Sequence, residues 1–263
     1  MLNEPGRSQY DWQFNFLGFP VRVAWGFWVV AAILGWSWSV SVDASFPNSP
    51  GGAPAVLLMW IAALLLSILV HEVGHTLAMK YYGLQSRIVL YHFGGLAIPD
   101  SFGSWNGARQ RRIGPREQIV ISAAGPGIQL ALAALVWAIG MATGTYMELT
   151  GQLNWLFGTS LPIGEIPQTA IRYAAFNAII YPSTIWAILN LAPILPLDGG
   201  HIMRSMLQLW NVDQPTHVAY MVSIGTGALL GIYCLQTGQP GGIMFLLFAA
   251  SNWQAMQQGH GGF

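Results

Sequence analysis

Two histidines and a glutamate stand close together in an otherwise apolar stretch of the sequence: His71, Glu72 and His75. On a helix, residues four apart project from the same face one turn apart, so the two imidazoles can bind a single metal ion. The carboxylate beside them can accept a proton from water. An acidic residue at the centre of a membrane helix costs about 2.5–3.5 kcal/mol, which favours a functional role. The spacing predicts a zinc site with Glu72 as general base.

Catalytic zinc usually has three protein ligands, so a third ligand is expected elsewhere in the chain. The ionisable candidates are Asp198, His201 and His217. Asp198 is the best choice because residues 190–200 contain two prolines that break a helix and two glycines that free the backbone. Such a segment can turn a short carboxylate towards a neighbouring helix. A second metal ion bound through His201 remains an alternative, although one ion already accounts for the buried charges.

The composition requires a lipid environment. Hydrophobic residues make up 54% of the 263 residues and charged residues only 8%, against about 25% charged in a typical soluble domain. So little charge cannot cover a surface in water, and the single Cys excludes a disulfide scaffold. The formal net charge of +0 gives no attraction to nucleic acid. We expect an integral multi-pass membrane protein that binds no nucleic acid, and the sequence leaves its oligomeric state unknown.

Apolar stretches of about 20 residues, the length that crosses a bilayer as a helix, recur along the chain. About six are predicted, with a shorter helix at residues 201–210. The predicted spans are residues 23–40, 55–79, 118–141, 173–191, 218–235 and 243–256. Residues 86–93 alternate loosely before Gly94 and Gly95, which predicts a short strand or hairpin. The predicted fold class is an all-α membrane protein with a small membrane-associated β-hairpin.

Basic residues cluster between the second and third predicted spans. Six of the ten in the chain stand there: Lys80, Arg87, Arg109, Arg111, Arg112 and Arg116. The loop at residues 41–54 has none. By the positive-inside rule, the basic loop and the N-terminus are predicted to be cytoplasmic, in the cell (inner) membrane. Residues 109–116 also suit a patch for anionic lipid or nucleic acid, but a solvated loop that sets topology is the preferred explanation.

Several motifs together resemble the site-2 protease family of intramembrane zinc metalloproteases. The matching motifs are His71-Glu72-Val73-Gly74-His75 on the second span, Gly125-Pro126 inside the next, and Leu197-Asp198-Gly199 within residues 190–200. Residues 18–23 before the first span, and Gly94-Gly95 after the strand-like stretch, are similar too. The matches run from about Gly18 to Met206. The two metal motifs in this order and separation are highly specific.

The resemblance implies a zinc metalloendopeptidase with one zinc ion per chain. The ion would be bound by His71, His75 and Asp198, with Glu72 as the general base. The implied reaction is hydrolysis of a peptide bond within or near a transmembrane segment of a membrane-anchored protein or peptide, as in regulated intramembrane proteolysis. We expect three parts in the chain: a cytoplasmic N-terminal segment (1–20), a catalytic core (21–210), and C-terminal transmembrane helices with a tail (211–263).

The resemblance also implies how substrate is held. A helical peptide has its carbonyls hydrogen-bonded, so it must unwind before hydrolysis, and an enzyme edge strand can satisfy the exposed backbone groups. Asn190 and the Gly94-Gly95 stretch are implied to hold the unwound substrate as an added strand. We expect residues 86–93 to be the edge strand that receives it.

Two positions depart from the family's pattern. Gln129 stands where members often have Asn, and Ala24 stands where many have His. Neither is expected to touch the metal ligands, so the departures bear on substrate handling rather than on metal binding.

Two other functional classes fit parts of the sequence. A transporter also has broken helices and buried carboxylates near the middle of the membrane, but no inverted repeat supports it. A metal-binding relative without proteolytic activity would keep the same ligands, yet the presence of Glu72 disfavours this class. The sequence therefore favours the protease.

Overall fold

The computed structural model describes residues 6–47, 49–92, 94–99, 113–239 and 241–260. Within these residues the chain forms two compact units. The sheet unit consists of the described residues in 6–99 and 127–187, and the C-terminal unit consists of those in 113–126 and 188–260.

A four-stranded sheet lies in the sheet unit. Its strands are β1 (Trp12–Phe16), β2 (Phe19–Val23), β3 (Ser86–Tyr91) and β4 (Gly94–Pro99), in the spatial order β1-β2-β3-β4. β1 and β2 are antiparallel, β2 and β3 are parallel, and β3 and β4 are antiparallel, with Tyr91 opposite Gly94. The short strand or hairpin predicted at residues 86–93 is therefore confirmed as β3, which forms a hairpin with β4 and is part of a larger sheet.

The first hairpin was not predicted, although the sequence contains its signal. Aromatic residues alternate with polar ones through β1 and apolar residues alternate through β2. Between the strands, Leu17 and Gly18 have φ angles of 50° and 85°, the left-handed pair that a two-residue hairpin turn needs. The prediction that residues 86–93 form an edge strand is wrong, because β3 pairs with β2 on one side and β4 on the other.

The described residues form eight helices. They are α1 (Trp25–Ser45), α2 (Gly52–Tyr81), α3 (Pro115–Ala142), α4 (Glu148–Phe157), α5 (Ala170–Asn190), α6 (Asp198–Leu209), α7 (Pro215–Gln236) and α8 (Gly242–His260). Four of them, α1, α2, α3 and α7, are long and apolar enough to cross a membrane. They correspond to four of the predicted spans. The other two predicted spans are the helices α5 and α8, so the count of about six spans is not confirmed. The short helix α4 was not predicted.

The helix that carries the two histidines, α2, packs in the core of the sheet unit. Buried side chains from the sheet, α1 and α2 form one cluster, which includes Val23, Phe27, Ala31, Leu64, Ile68, Val73, Ile88 and Leu90. Val73 stands between the two histidines in sequence and is 3% exposed. The turn of α2 that carries His71 and His75 is therefore held against the sheet, since close-packed interiors leave little room for movement.

Three residues of the predicted basic loop, Arg109, Arg111 and Arg112, lie outside the described residues. The cytoplasmic location of the N-terminus stays a prediction.

Candidate metal centre

The two histidine rings of α2 face one another. His71 and His75 are 3% and 7% exposed, and their Nε2 atoms lie 3.1 Å apart. The rings are nearly perpendicular, with an interplanar angle of 80°. Two nitrogens that bind one tetrahedral zinc ion at 2.0–2.1 Å lie about 3.3 Å from each other. The observed separation is close to this value, so the pair fits two ligands of a single zinc ion.

The second nitrogen of the His71 ring contacts α3. His71 Nδ1 lies 2.8 Å from the side-chain oxygen of Gln129, which is 0% exposed. An amide oxygen only accepts hydrogen bonds, so Nδ1 carries the proton and Nε2 presents its lone pair. Metal-binding histidines usually donate their other N–H in this way. The expectation that Gln129 touches no proposed ligand is therefore wrong, because its side chain reaches α2 through the core.

Glu72 lies under the backbone of β4. Its carboxyl group is buried, with 4% of the residue exposed. A methyl group on Gly95 would overlap the Glu72 carboxylate, so only glycine allows the strand to pass this close. Gly94 has a φ of 126°, a conformation that also favours glycine. Two residues predicted to bind substrate thus lie in the strand that passes over the predicted general base.

β4 is an outer strand of the sheet, and within the described part of the chain no strand pairs with its far side. The amide of Ala24 donates to the carbonyl of Leu90 over 2.8 Å, so the Leu90 backbone faces β2. Gly95 is opposite Leu90 in the antiparallel register. Because the Leu90 backbone bonds towards β2, Leu90 and Gly95 form a non-hydrogen-bonded pair. In such a pair the N–H and C=O groups of the two residues point away from each other, so the N–H and C=O groups of Gly95 face the outer edge of the sheet. An edge able to accept a strand therefore begins beside Glu72.

Tyr91 adds a protonated phenol near the carboxylate. Burial and the negative charge of Glu72 raise the pKa of Tyr91 to about 12. The phenol is therefore a hydrogen-bond donor at neutral pH.

Asp198 lies in the C-terminal unit, where it is the first residue of α6. The preceding helix ends at Asn190, so the predicted break lies at residues 191–197. The turn before Asp198 is fixed by two helices: the amide of Leu195 donates to Ser223 Oγ of α7, and the carbonyl of Leu195 accepts from Asn252 of α8. A side chain on either glycine after Asp198 would overlap the backbone of residues 191–195. The carboxylate therefore stands on a tightly packed turn.

The other predicted residues lie in the same unit as Asp198. Asn190 is half-buried at the end of α5, and its predicted role in substrate binding stays a prediction. His201 and His217, the alternative third ligands, are half-buried on α6 and α7.

The chain is similar in sequence to a peptidase family and to proteins named zinc metalloproteases. The sequence model of peptidase family M50 matches residues 59–232, which include both metal motifs. A Synechocystis protein that carries the name zinc metalloprotease sll0528 is 26% identical over 241 residues, covering 91% of this chain and 54% of that protein. The zinc metalloprotease Rip3 of Mycobacterium tuberculosis is 28% identical over 196 residues, covering 72% and 42%. The chain thus spans about half the length of these curated relatives.

A solved structure shares the fold. The site-2 protease from Methanocaldococcus jannaschii is 18% identical and superposes with a TM-score of 0.51, covering 95% of this chain and 94% of that one. At this identity the likeness shows the fold alone.

Proposed function

Because this chain belongs to peptidase family M50, we propose that it is a zinc endopeptidase that cleaves membrane-anchored proteins or peptides within or near their transmembrane segments. The family, the relatives named zinc metalloproteases and the four apolar helices support a multi-pass membrane metalloprotease. One observation carries the finer proposal: two imidazole nitrogens 3.1 Å apart on a helix whose intervening glutamate lies under an open strand edge.

His71 and His75 would hold the metal through their Nε2 atoms. We propose Asp198 as the third ligand and one zinc ion per chain, since catalytic zinc sites commonly combine two histidines with one carboxylate. When bound, zinc would lower the pKa of water towards about 7 and polarise the scissile carbonyl.

Glu72 would move the protons of the reaction. Its carboxylate would accept a proton from the attacking water and return it to the leaving amine. Because it is buried beside the metal-binding pair, bulk water would not compete for its hydrogen bonds.

β4 would hold the substrate. An unwound peptide can pair with the outward backbone groups of Gly95, and of Ala97 two residues further along the same edge, because backbone direction alternates along a strand. Such pairing would satisfy the amides exposed by unwinding, which no lipid can do. The scissile bond would then lie over Glu72. We further propose that Asn190 assists this binding, that residues 21–210 form the catalytic core, and that the N-terminus is cytoplasmic.

The test is Glu72→Gln in purified protein incubated with a peptide from a transmembrane segment. We expect cleavage to fall by about 10²- to 10⁴-fold while zinc content is kept, because the amide cannot act as a base. His71→Ala should lose zinc as well as cleavage. Wild-type protein that purifies without stoichiometric zinc, or Glu72→Gln protein that cleaves at the normal rate, would contradict the proposal. Membrane peptides that accumulate in cells expressing Glu72→Gln would identify the substrates.

A further inference from the structure

A chain of hydrogen bonds crosses three helices of the sheet unit and ends on the His71 ring. Ser183 on α5 donates to the hydroxyl of Ser67 on α2 over 2.9 Å. The side-chain nitrogen of Gln129 on α3 donates to the same hydroxyl over 2.8 Å. The side-chain oxygen of Gln129 then accepts from His71 over 2.8 Å. Ser67, Gln129 and Ser183 are each 0% exposed, so bulk water cannot replace these bonds.

The orientation of the Gln129 amide decides which nitrogen of His71 carries the proton. With the amide oxygen towards the ring, Nδ1 is protonated and Nε2, which faces His75, keeps its lone pair. If the amide were turned by 180°, its NH₂ group would face Nδ1, and the proton would have to stand on Nε2. A protonated nitrogen cannot bind a metal. In the structure the NH₂ group donates to Ser67, which corresponds to the first orientation.

We propose that Gln129 is a positioning residue of the metal centre, which accepts the Nδ1 hydrogen of His71 and so keeps Nε2 available to zinc. In this orientation the NH₂ group of the amide donates to Ser67, which also accepts from Ser183. The inference rests on the zinc site of the proposed function and adds to it a residue outside both metal motifs. A purely space-filling role would require only a side chain of similar volume at position 129.

Two substitutions at position 129 separate these roles. Gln129→Met keeps the length of the side chain and removes the acceptor, and we expect zinc affinity to fall by about 10- to 100-fold. Gln129→Glu keeps an acceptor for His71, and the Ser67 hydroxyl can turn to donate to the new carboxylate. We expect its zinc affinity to equal or exceed that of the wild type. A space-filling role predicts the reverse order, because methionine packs well and a buried carboxylate does not.

Affinity is measured by competition with a chromophoric chelator in detergent, and the visible spectrum of the Co²⁺-substituted protein reports the ligand geometry. Thermal unfolding of the metal-free variants checks that each one folds. Ser67→Ala should lower zinc affinity about two- to tenfold, the effect of one hydrogen bond. Ser39→Ala is the matched control, because Ser39 is an equally buried helical serine whose hydroxyl makes no hydrogen bond with the part of the chain that the structure describes. It should leave zinc affinity unchanged.

The outcomes distinguish the two proposals. If wild-type protein binds no stoichiometric zinc, the proposed function fails and this inference fails with it. If the wild type binds zinc, His71→Ala does not, and Gln129→Met binds as tightly as the wild type, only the role of Gln129 is overturned. Equal losses in the Met and Glu variants would also overturn it, because the acceptor would then be irrelevant.

Discussion

The two outer strands of the sheet have the same backbone pairing, but the side chains around them differ. β1 and β4 each form an antiparallel hairpin with an inner strand. β1 carries aromatic side chains, and Trp12 packs against Phe14 and against Trp28 of α1, with ring centroids 4.7 and 6.2 Å apart. β4 begins with two glycines, and its backbone passes over Glu72. An edge becomes a candidate binding site where small residues expose its backbone to a reactive group.

The carboxylate of Asp11, next to β1, links this edge to neighbouring elements. Asp11 forms an ion pair with Arg22 of β2 over 3.1 Å, and it accepts from the amide of Trp25 at the start of α1 over 3.3 Å. The side chains of Asp11 and Glu72 both lie next to an outer strand, and that of Asp11 is only 1% exposed although the residue as a whole is half-buried. Asp11 joins three elements, whereas Glu72 stands beside the two histidines that we propose as zinc ligands. We therefore propose a structural role for the first edge and a catalytic role for the second.

The largest expected difference between the edges comes from adding a methyl group to a glycine of each hairpin. Gly95→Ala should lower cleavage by at least about 100-fold, because the new methyl group displaces the Glu72 carboxylate or the strand. Gly18→Ala is the matched control: its turn has a φ of 85° but nothing within 4 Å of the new atom. It should cost about 1 kcal/mol of stability and leave the turnover of folded protein unchanged. Equal activity of both variants in the peptide assay would remove Gly95 from the site.

Proline on each outer edge gives the next largest effect. Ala97→Pro should lower cleavage by about tenfold, since it removes one amide that the substrate strand would bond. Asn15→Pro places the same change at the exposed edge of β1 and should alter cleavage by less than about twofold, because no substrate pairs there. Zinc content should be normal in both variants. If the β1 variant is as defective as the β4 variant, proline acts by disturbing the sheet and the assignment of β4 fails.

The smallest expected effect concerns Asp11 and its dependence on pH. Burial opposes its ionisation, but the amides of Ser8 and Trp25 and the Arg22 guanidinium together lower the pKa of Asp11. A lowered folded-state pKa means that the carboxylate stabilises the fold above its unfolded pKa of about 3.9 and loses this contribution as the pH falls through the folded value.

Asp11→Asn should therefore lower the thermal unfolding temperature by a few degrees at neutral pH, and the gap to the wild type should shrink below about pH 4. Cleavage by the folded variant should stay unchanged, in contrast to Glu72→Gln. Asp213→Asn, at an exposed site, is the control and should shift neither property. A gap that widened on acidification would contradict the proposed role of Asp11.

Much of the helical fold and the approach of the two histidines could be predicted from local sequence. His71 and His75 lie four residues apart on one helix, so their approach depends only on helix geometry. The sheet was predicted in part, because the glycine pair marks its second hairpin, whereas residues 1–20 were predicted only as an N-terminal segment. Gln129 was misjudged because its contact with His71 joins residues 58 positions apart.

The sequence by itself determined the membrane class, the histidine pair and the acid beside it, since composition and helical spacing are local properties. The tertiary structure alone decided that β4 rather than β3 is an outer strand, that Gly95 lies against Glu72 and that Gln129 contacts the His71 ring. Strand order and helix packing join segments that are distant in the chain, and local periodicity does not specify which of them meet.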